Sequence, residues 1–357
     1  MLALMLVLPL WGQEVKRTRL TPVEPQQGEG FGFAIAAEGN HLVVSARFAP
    51  HAYVFEYDGT AWQQAAELKG VNQLVPATAA RSFGTSLDVS GGYVAAGVPK
   101  SASELGKNVG LVELFARGSD GWAPVAALRA PSPAAKASFG SALDLQGDQL
   151  IVGAQDFEYE TGQAYLFTRE GDSWNGVALT DPNPRPMSRF GAAVAVRGDL
   201  ALVGAPGVEQ KRKTIGTCYV YQRDDAGNWN MIQAIEGDNK TMDVGQSLVI
   251  TGNQLFIGAY ETVLVFEQVD GKWIETHRIE SPDKGAAMRF AGSLRVSPNG
   301  DHLLAGSSGK AYLFTQVEGN WQFVSTFGDE ASEFATNNAL TDDFFFLNSP
   351  FEGEEYI

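Results

Sequence analysis

Seven short runs along the chain are apolar at almost every position: LVVSA (42–46), YVAAGVP (93–99), LIVGAQ (150–155), LALVGAP (200–206), LFIGAY (255–260), LLAGSS (303–308) and FFFLNSP (344–350). Runs of this length, without polar alternation, predict strands covered on both faces. A pair such as Gly39-Asn40, Gly91-Gly92, Gly147-Asp148, Gly198-Asp199 or Gly252-Asn253 precedes most of them, and these are the residues that tight hairpin turns require. Asn299-Gly300-Asp301 and Asp342-Asp343 take that place in the last two. Ahead of each turn stands a shorter alternating stretch. Behind each apolar run follows a third segment: AYVFEY, LVELF, AYLFT, CYVYQ, VLVFEQ, AYLFT and, at the chain end, EYI. A fourth segment opens on Trp62, Trp122, Trp174, Trp229, Trp273 or Trp321 and closes on Leu68, Leu128, Leu179, Ile235, Ile279 or Phe327. Tryptophans that recur at one repeat position predict packing between repeats.

The phrase begins each time at Phe-Gly or a variant of it: Phe31-Gly32, Phe83-Gly84, Phe139-Gly140, Phe190-Gly191, Val244-Gly245, Phe290-Ala291 and, more weakly, Phe334-Ala335. Successive starts lie 44 to 56 residues apart, the length of a four-stranded propeller blade. The expected fold is therefore an all-β, seven-bladed β-propeller over residues 13–357. The seventh repeat ends at Tyr356-Ile357 without a fourth strand. Residues 13–22, QEVKRTRLTP, are expected to supply it and so close the ring, which removes exposed strand edges.

Phe-Gly together with Gly-Ala-Pro in each repeat resembles the FG-GAP repeat family, to which the integrin α-subunit propeller belongs. The resemblance is closest to a bacterial-style variant. It implies the propeller fold and a role in adhesion or interaction. Integrin-type repeats carry calcium loops between their first and second strands, but here those loops are reduced to the tight turns above. Calcium takes six to eight oxygen ligands, which such turns do not offer. No metal and no cofactor is expected.

Composition narrows the options. A formal net charge of -16 and a pI near 4.7 exclude a nucleic-acid binder, which needs a basic footprint. The single cysteine, Cys218, rules out an intrachain disulfide and reads as a small buried hydrophobe. Residues 1–12, MLALMLVLPLWG, are too short to cross a bilayer and resemble the apolar part of a signal peptide. An extracellular or cell-surface protein without stable membrane insertion is expected.

Candidate chemistry is sparse, and no catalytic residue is assigned. No Gly-x-Ser-x-Gly elbow occurs. His41, His51, His277 and His302 fall in different repeats, and His41 and His302 read as surface positions. Arg197-Gly198-Asp199 spells a tripeptide that some integrins recognise, but it sits on a repeat turn. Asp88 and Asp144 share one repeat position on innermost strands and so face the channel. The loops carry more information. Segments 99–108, 155–161 and 207–215, with the inter-blade links 69–82 and 180–189, form a crescent of long loops on one face of repeats two to four. Function concentrates in such loops. The crescent carries Arg81, Lys100, Lys107, Phe157, Tyr159, Arg185, Lys211, Arg212 and Lys213, an expected face for a protein or glycan ligand. Asn239-Lys240-Thr241 is a glycosylation sequon. The leading expectation is a recognition or adhesion module. The alternatives are a polysaccharide hydrolase or lyase using Asp88 and Asp144 at the channel mouth, and a structural domain of a larger assembly.

Overall fold

The computed structural model of the protein describes residues 2–7, 16–26, 28–70, 82–210, 213–238, 240–283, 290–307, 309–328 and 337–349. It is an all-β propeller with four-stranded antiparallel blades. Six blades are each one contiguous run of chain. From inner to outer strand, blade 1 is Phe31–Glu38, His41–Ala46, His51–Tyr57 and Trp62–Lys69. The inner and outer strands of the next five are Leu87–Ser90 and Gly121–Leu128, Ala142–Gln146 and Ser173–Leu179, Ala193–Arg197 and Trp229–Glu236, Ser247–Thr251 and Lys272–Glu280, and Ser293–Val296 and Asn320–Gly328.

One further four-stranded sheet is composite, and here the sequence expectation needs correction. From inside to outside its order is Asn338–Leu340, Phe344–Ser349, Leu2–Val7 and Lys16–Leu20. Lys16–Leu20 is the outermost strand, where 13–22 was expected to add. The third position is held not by the EYI of the chain end but by Leu2–Val7, from the stretch read as a signal peptide. Residues 355–357 lie outside the described residues. Leu2–Val7 takes that place by pairing its backbone with Phe344–Ser349 on one side and Lys16–Leu20 on the other. The sheet sits between blades 6 and 1. Asn299 N donates to Asp342 Oδ1 at 2.9 Å on one side, and Asn337 Nδ2 donates to Phe33 O at 2.7 Å on the other.

The packing explains the repeated residues. Each Phe of the Phe-Gly pair is buried against aromatic rings of its own third strand. Phe139 meets Tyr165 and Phe167 edge-on at 5.7 and 6.0 Å, and Phe290 meets Tyr312 and Phe314 at 5.4 and 6.3 Å. The glycines set the distance between blades. Gly204, in the second strand of blade 4, lies so close to blade 5 that a Cβ there would overlap the carbonyl oxygen of Gly245. Gly153 stands in the same relation to Gly191. The repeated tryptophans bridge backwards to the second strand of the preceding blade. Trp62 packs on Phe344 and Phe346 at 5.3 Å, Trp122 on His41 at 6.0 Å, Trp174 on Tyr93 at 6.4 Å and Trp321 on Phe256 at 5.7 Å. His41 thus lies partly covered by an indole, and His302 is partly buried with its imidazole pushed down from the usual range by desolvation. Neither is the open surface position its sequence context suggests. Cys218 is fully buried, and burial pushes its thiol well up.

Candidate functional site

Two regions gather the candidate residues: the channel and the loop rim of blades 2–4. The inner strands align in register, so one repeat position projects a ring of side chains: Ala36, Asp88, Asp144, Ala195, Val249, Arg295 and Ala339. They line a cavity of about 210 Å³. Within this ring Asp88 and Asp144 reach the backbone of the next blade. Asp88 Oδ2 accepts a hydrogen bond from Leu145 N in blade 3 at 2.7 Å. Asp144 Oδ2 accepts one from Val196 N in blade 4 at 2.7 Å. Each carboxylate therefore fastens its own inner strand to the next blade, whose inner edge would otherwise hold unpaired donors.

Desolvation raises the pKa of both acids, and the Asp144 charge pushes Asp88 up further. Arg295 opposes the shift on both, and Arg197 opposes it on Asp144. Burial of both acids side by side therefore favours the protonated form over the usual carboxylate. The consequence for stability has a definite sign. A carboxyl whose folded pKa is raised stabilises the fold while it is protonated, and loses that contribution as pH rises through the folded value. Asp88→Asn keeps an acceptor for Leu145 but cannot ionise. The variant is expected to melt increasingly above the wild type as pH goes from 4 to 8, with the two converging at the acid end. Thermal melts across that range check it.

A third arrangement was not visible in the sequence. In two blades a carboxylate from the segment leading into Phe-Gly, or its counterpart, holds a third-strand tyrosine. Tyr53 O–H donates to Glu29 Oε2 at 2.8 Å, and His51 Nε2 lies 3.1 Å from the same oxygen. Asp283 accepts from Lys310 Nζ at 2.7 Å and from Tyr312 O–H at 2.9 Å. In blade 4 the charge of Asp181 acts on Tyr219. The carboxylates raise the pKa of Tyr53 and Tyr219, after desolvation as the larger cause, while Asp283 itself is lowered by its two donors. These clamps pin the inter-blade links. The tyrosines recur in the sequence, but the acids stand at unequal distances from Phe-Gly, so no spacing exposes them. The turn Arg197-Gly198-Asp199 is likewise occupied: Gly198 O accepts from Gln149 Nε2 at 2.9 Å and Asp199 Oδ1 from Arg223 Nε at 2.8 Å.

The rim is where the crescent of loops was expected, and its loops are laced together. Lys136 N donates to Lys107 O at 2.9 Å, Ser138 N to Asn108 O at 2.9 Å, Met187 N to Tyr159 O at 3.2 Å and Arg189 N to Glu160 O at 2.8 Å. Tyr159, Met187 and Arg189 adopt φ of 60°, 63° and 56°, backbone that side chains other than glycine take up at a cost. Lys100, Lys107, Arg185 and Lys213 are exposed, and Tyr159 is 91% exposed. Phe157 is partly buried against the core between blades 2 and 3. Arg81, Lys211 and Arg212 lie outside the described residues. The described rim is of mixed sign, because Glu104, Asp156, Glu158, Glu160 and Glu209 stand among its cations. Its exposed apolar residues are Leu105 at 51%, Tyr159 and Met187 at 66%.

Comparison with known proteins agrees with this architecture. Residues 175–221, which run from the outer strand of blade 3 through the Phe190-Gly191 phrase into the third strand of blade 4, match the FG-GAP repeat family. The chain is a β-propeller that carries an FG-GAP repeat match in this segment. It superposes on a functionally unknown protein from Desulfotomaculum acetoxidans DSM 771 with a TM-score of 0.55 at 12% identity, covering 90% of this chain and 95% of the other. A putative 6-phosphogluconolactonase from Bacteroides fragilis NCTC 9343 gives 0.57 at 13%, covering 92% and 95%. The β-propeller domain of Cps50 (Swd1) from Myceliophteria thermophila gives 0.57 at 13%, covering 90% and 96%. At such identities the likeness concerns the fold alone. No curated protein sequence matches the chain. Among the described residues no group of three or more His, Cys, Asp or Glu is placed to hold a metal ion, and no helix is long and apolar enough to cross a membrane.

Proposed function

We propose that this propeller is a non-catalytic, extracellular interaction module that holds a protein or glycan on the loop rim of blades 2–4. An FG-GAP propeller is in general terms a protein-interaction scaffold. The observation that supports this rim is Tyr159: almost fully exposed, in left-handed backbone, and joined through its carbonyl to the amide of exposed Met187. Tyr, Met and Arg are the residue types that interfaces enrich. A rim whose loops are hydrogen-bonded to one another loses little freedom on binding, which is what favours affinity in a preformed site.

The ring reads as seven-bladed, with the composite sheet as its closure. The extracellular setting rests on the apolar run 1–12, and the intact mass of protein recovered from a secreting host tests it. A mature chain that began beyond residue 7 would have lost one strand of the composite sheet.

The test of the rim is capture from native extracellular material. The wild type is set beside a Tyr159→Ser, Met187→Ser variant and a variant with Lys211, Arg212 and Lys213 changed to Glu. A partner held by the wild type and lost by either variant is the expected result. Identical captures would remove the rim as the binding face. A second reading, a polysaccharide hydrolase or lyase, draws on the two buried acids Asp88 and Asp144 in the channel cavity, both with raised pKa. Activity on a polysaccharide panel that Asp88→Asn abolishes would favour it. Their hydrogen bonds to the next blade already account for both acids.

A further inference from the structure

The outer strand of every propeller blade is an edge, with a row of backbone donors and acceptors turned outward. Proteins blunt such edges with bulges, prolines or charges. This chain does so with one exception. Five outer strands carry a β-bulge at the same place. The register shifts opposite Val54/Phe55 in blade 1, at Pro124/Ala126 in blade 2, opposite Val220/Tyr221 in blade 4, opposite Val265/Phe266 in blade 5 and opposite Leu313/Phe314 in blade 6. Blade 2 adds Pro124. The outermost strand of the composite sheet is unbulged, but its sequence is KRTRL.

Blade 3 has none of these devices. Ser173–Leu179, SWNGVAL, pairs with Gln163–Glu170 through seven residues without a register shift, and it contains no proline and no charge. Among the described residues no strand pairs with its outer side. Val177 is 50% exposed on it. Gly176 explains how the strand stays regular. It lies against the Phe167 ring, which leaves no room for a larger residue there and lets the two strands run in register.

We infer that the outer edge of blade 3 is a strand-addition site for an extended segment of a partner protein. An unblunted row of backbone groups is complemented by another backbone in β conformation, with alternate side chains supplying selectivity. The partner's chemistry follows from the surroundings. Exposed Glu170 and Asp172 stand just before Ser173, so the segment carries Lys or Arg at that end, and apolar or small polar residues along the strand. A second copy of this chain does not fit, since each copy carries a net charge of -16. This surface is separate from the rim and does not depend on the rim's role.

The experiment uses the full chain and a synthetic peptide of two lysines followed by three Val-Thr pairs. The expected result is slowed amide hydrogen exchange in 173–179 but not in 229–236 or 320–328. Val177→Lys should weaken binding at least tenfold, whereas Val324→Lys on bulged blade 6 and Tyr159→Ser on the rim leave it unchanged. A peptide N-methylated at alternate residues keeps its side chains but cannot donate along one edge, and it should not bind. Protection spread equally over all outer strands, undiminished binding of the N-methylated peptide, or no protection of 173–179 would each overturn the inference.

Discussion

Deleting residues 1–12 is expected to leave the composite sheet without its third strand and the protein prone to self-association. Leu2–Val7 pairs residue for residue with Phe344–Ser349 on one side and, along Ala3–Val7, with Lys16–Leu20 on the other. Without it, the edge of Phe344–Ser349 is unpaired, and this strand carries buried Phe344, Phe345, Phe346 and Leu347. A strand rich in aromatic residues with a free edge and no charge is an aggregation site. At ~0.5–1.5 kcal/mol net per backbone hydrogen bond, losing one six-residue strand costs several kcal/mol. For a chain of this size that lowers Tm by roughly 5–10 °C. Size-exclusion chromatography and thermal melts of 1–357 and 13–357 check it. If the two chains melt together and both run as monomers, Leu2–Val7 is not part of the fold.

Gly204→Ala is expected to have a comparable effect from a single methyl group. The new Cβ would overlap the Gly245 carbonyl, which belongs to the backbone of the next blade and cannot turn aside as a side chain can. Overpacking a tight interface costs ~1–3 kcal/mol and at times more, and here the upper end is expected. Gly258 gives the internal comparison. Its added Cβ would meet the Ser247 hydroxyl at 2.1 Å, a side-chain atom that can turn aside, while the nearest backbone atom, Ala291 O, stands at 2.7 Å, so Gly258→Ala should cost less. Blade 1 shows how a larger residue can be admitted. Ser45 occupies the position equivalent to Gly204, and its hydroxyl donates to the Gly84 carbonyl at 2.8 Å, so the close approach becomes a hydrogen bond. Gly204→Ser should therefore recover part of the loss. Urea unfolding of the three variants ranks them, and equal stability of Gly204→Ala and wild type would refute the packing argument.

The repeat made the blades legible because one packing problem is solved the same way each time. A Phe before Gly sits against third-strand rings, a glycine lets the next blade approach, and a Trp returns to the blade before. Each solution leaves its residue at a fixed place in the period. Asp88 and Asp144 were legible as a shared position but not as inter-blade ties, because their acceptors meet backbone donors that carry no sequence signal. The mixed charge of the rim was partly legible, since Glu209 stands two residues before Lys211. Glu160 comes beside Arg189, at 3.9 Å, only when the loops fold side by side.

The sequence by itself determined the strand type, the blade phrase, the hairpin turns and the burial of Phe, Gly-Ala and Trp positions, since all of these follow from periodicity within about fifty residues. Tertiary structure alone decided which segment closes the composite sheet, which carboxylates clamp which tyrosines, and which outer edge remains open. The physical reason is common to the three. Each depends on pairing between groups far apart in the chain, chosen by shape and unpaired backbone groups at the meeting point, and no local pattern records that choice.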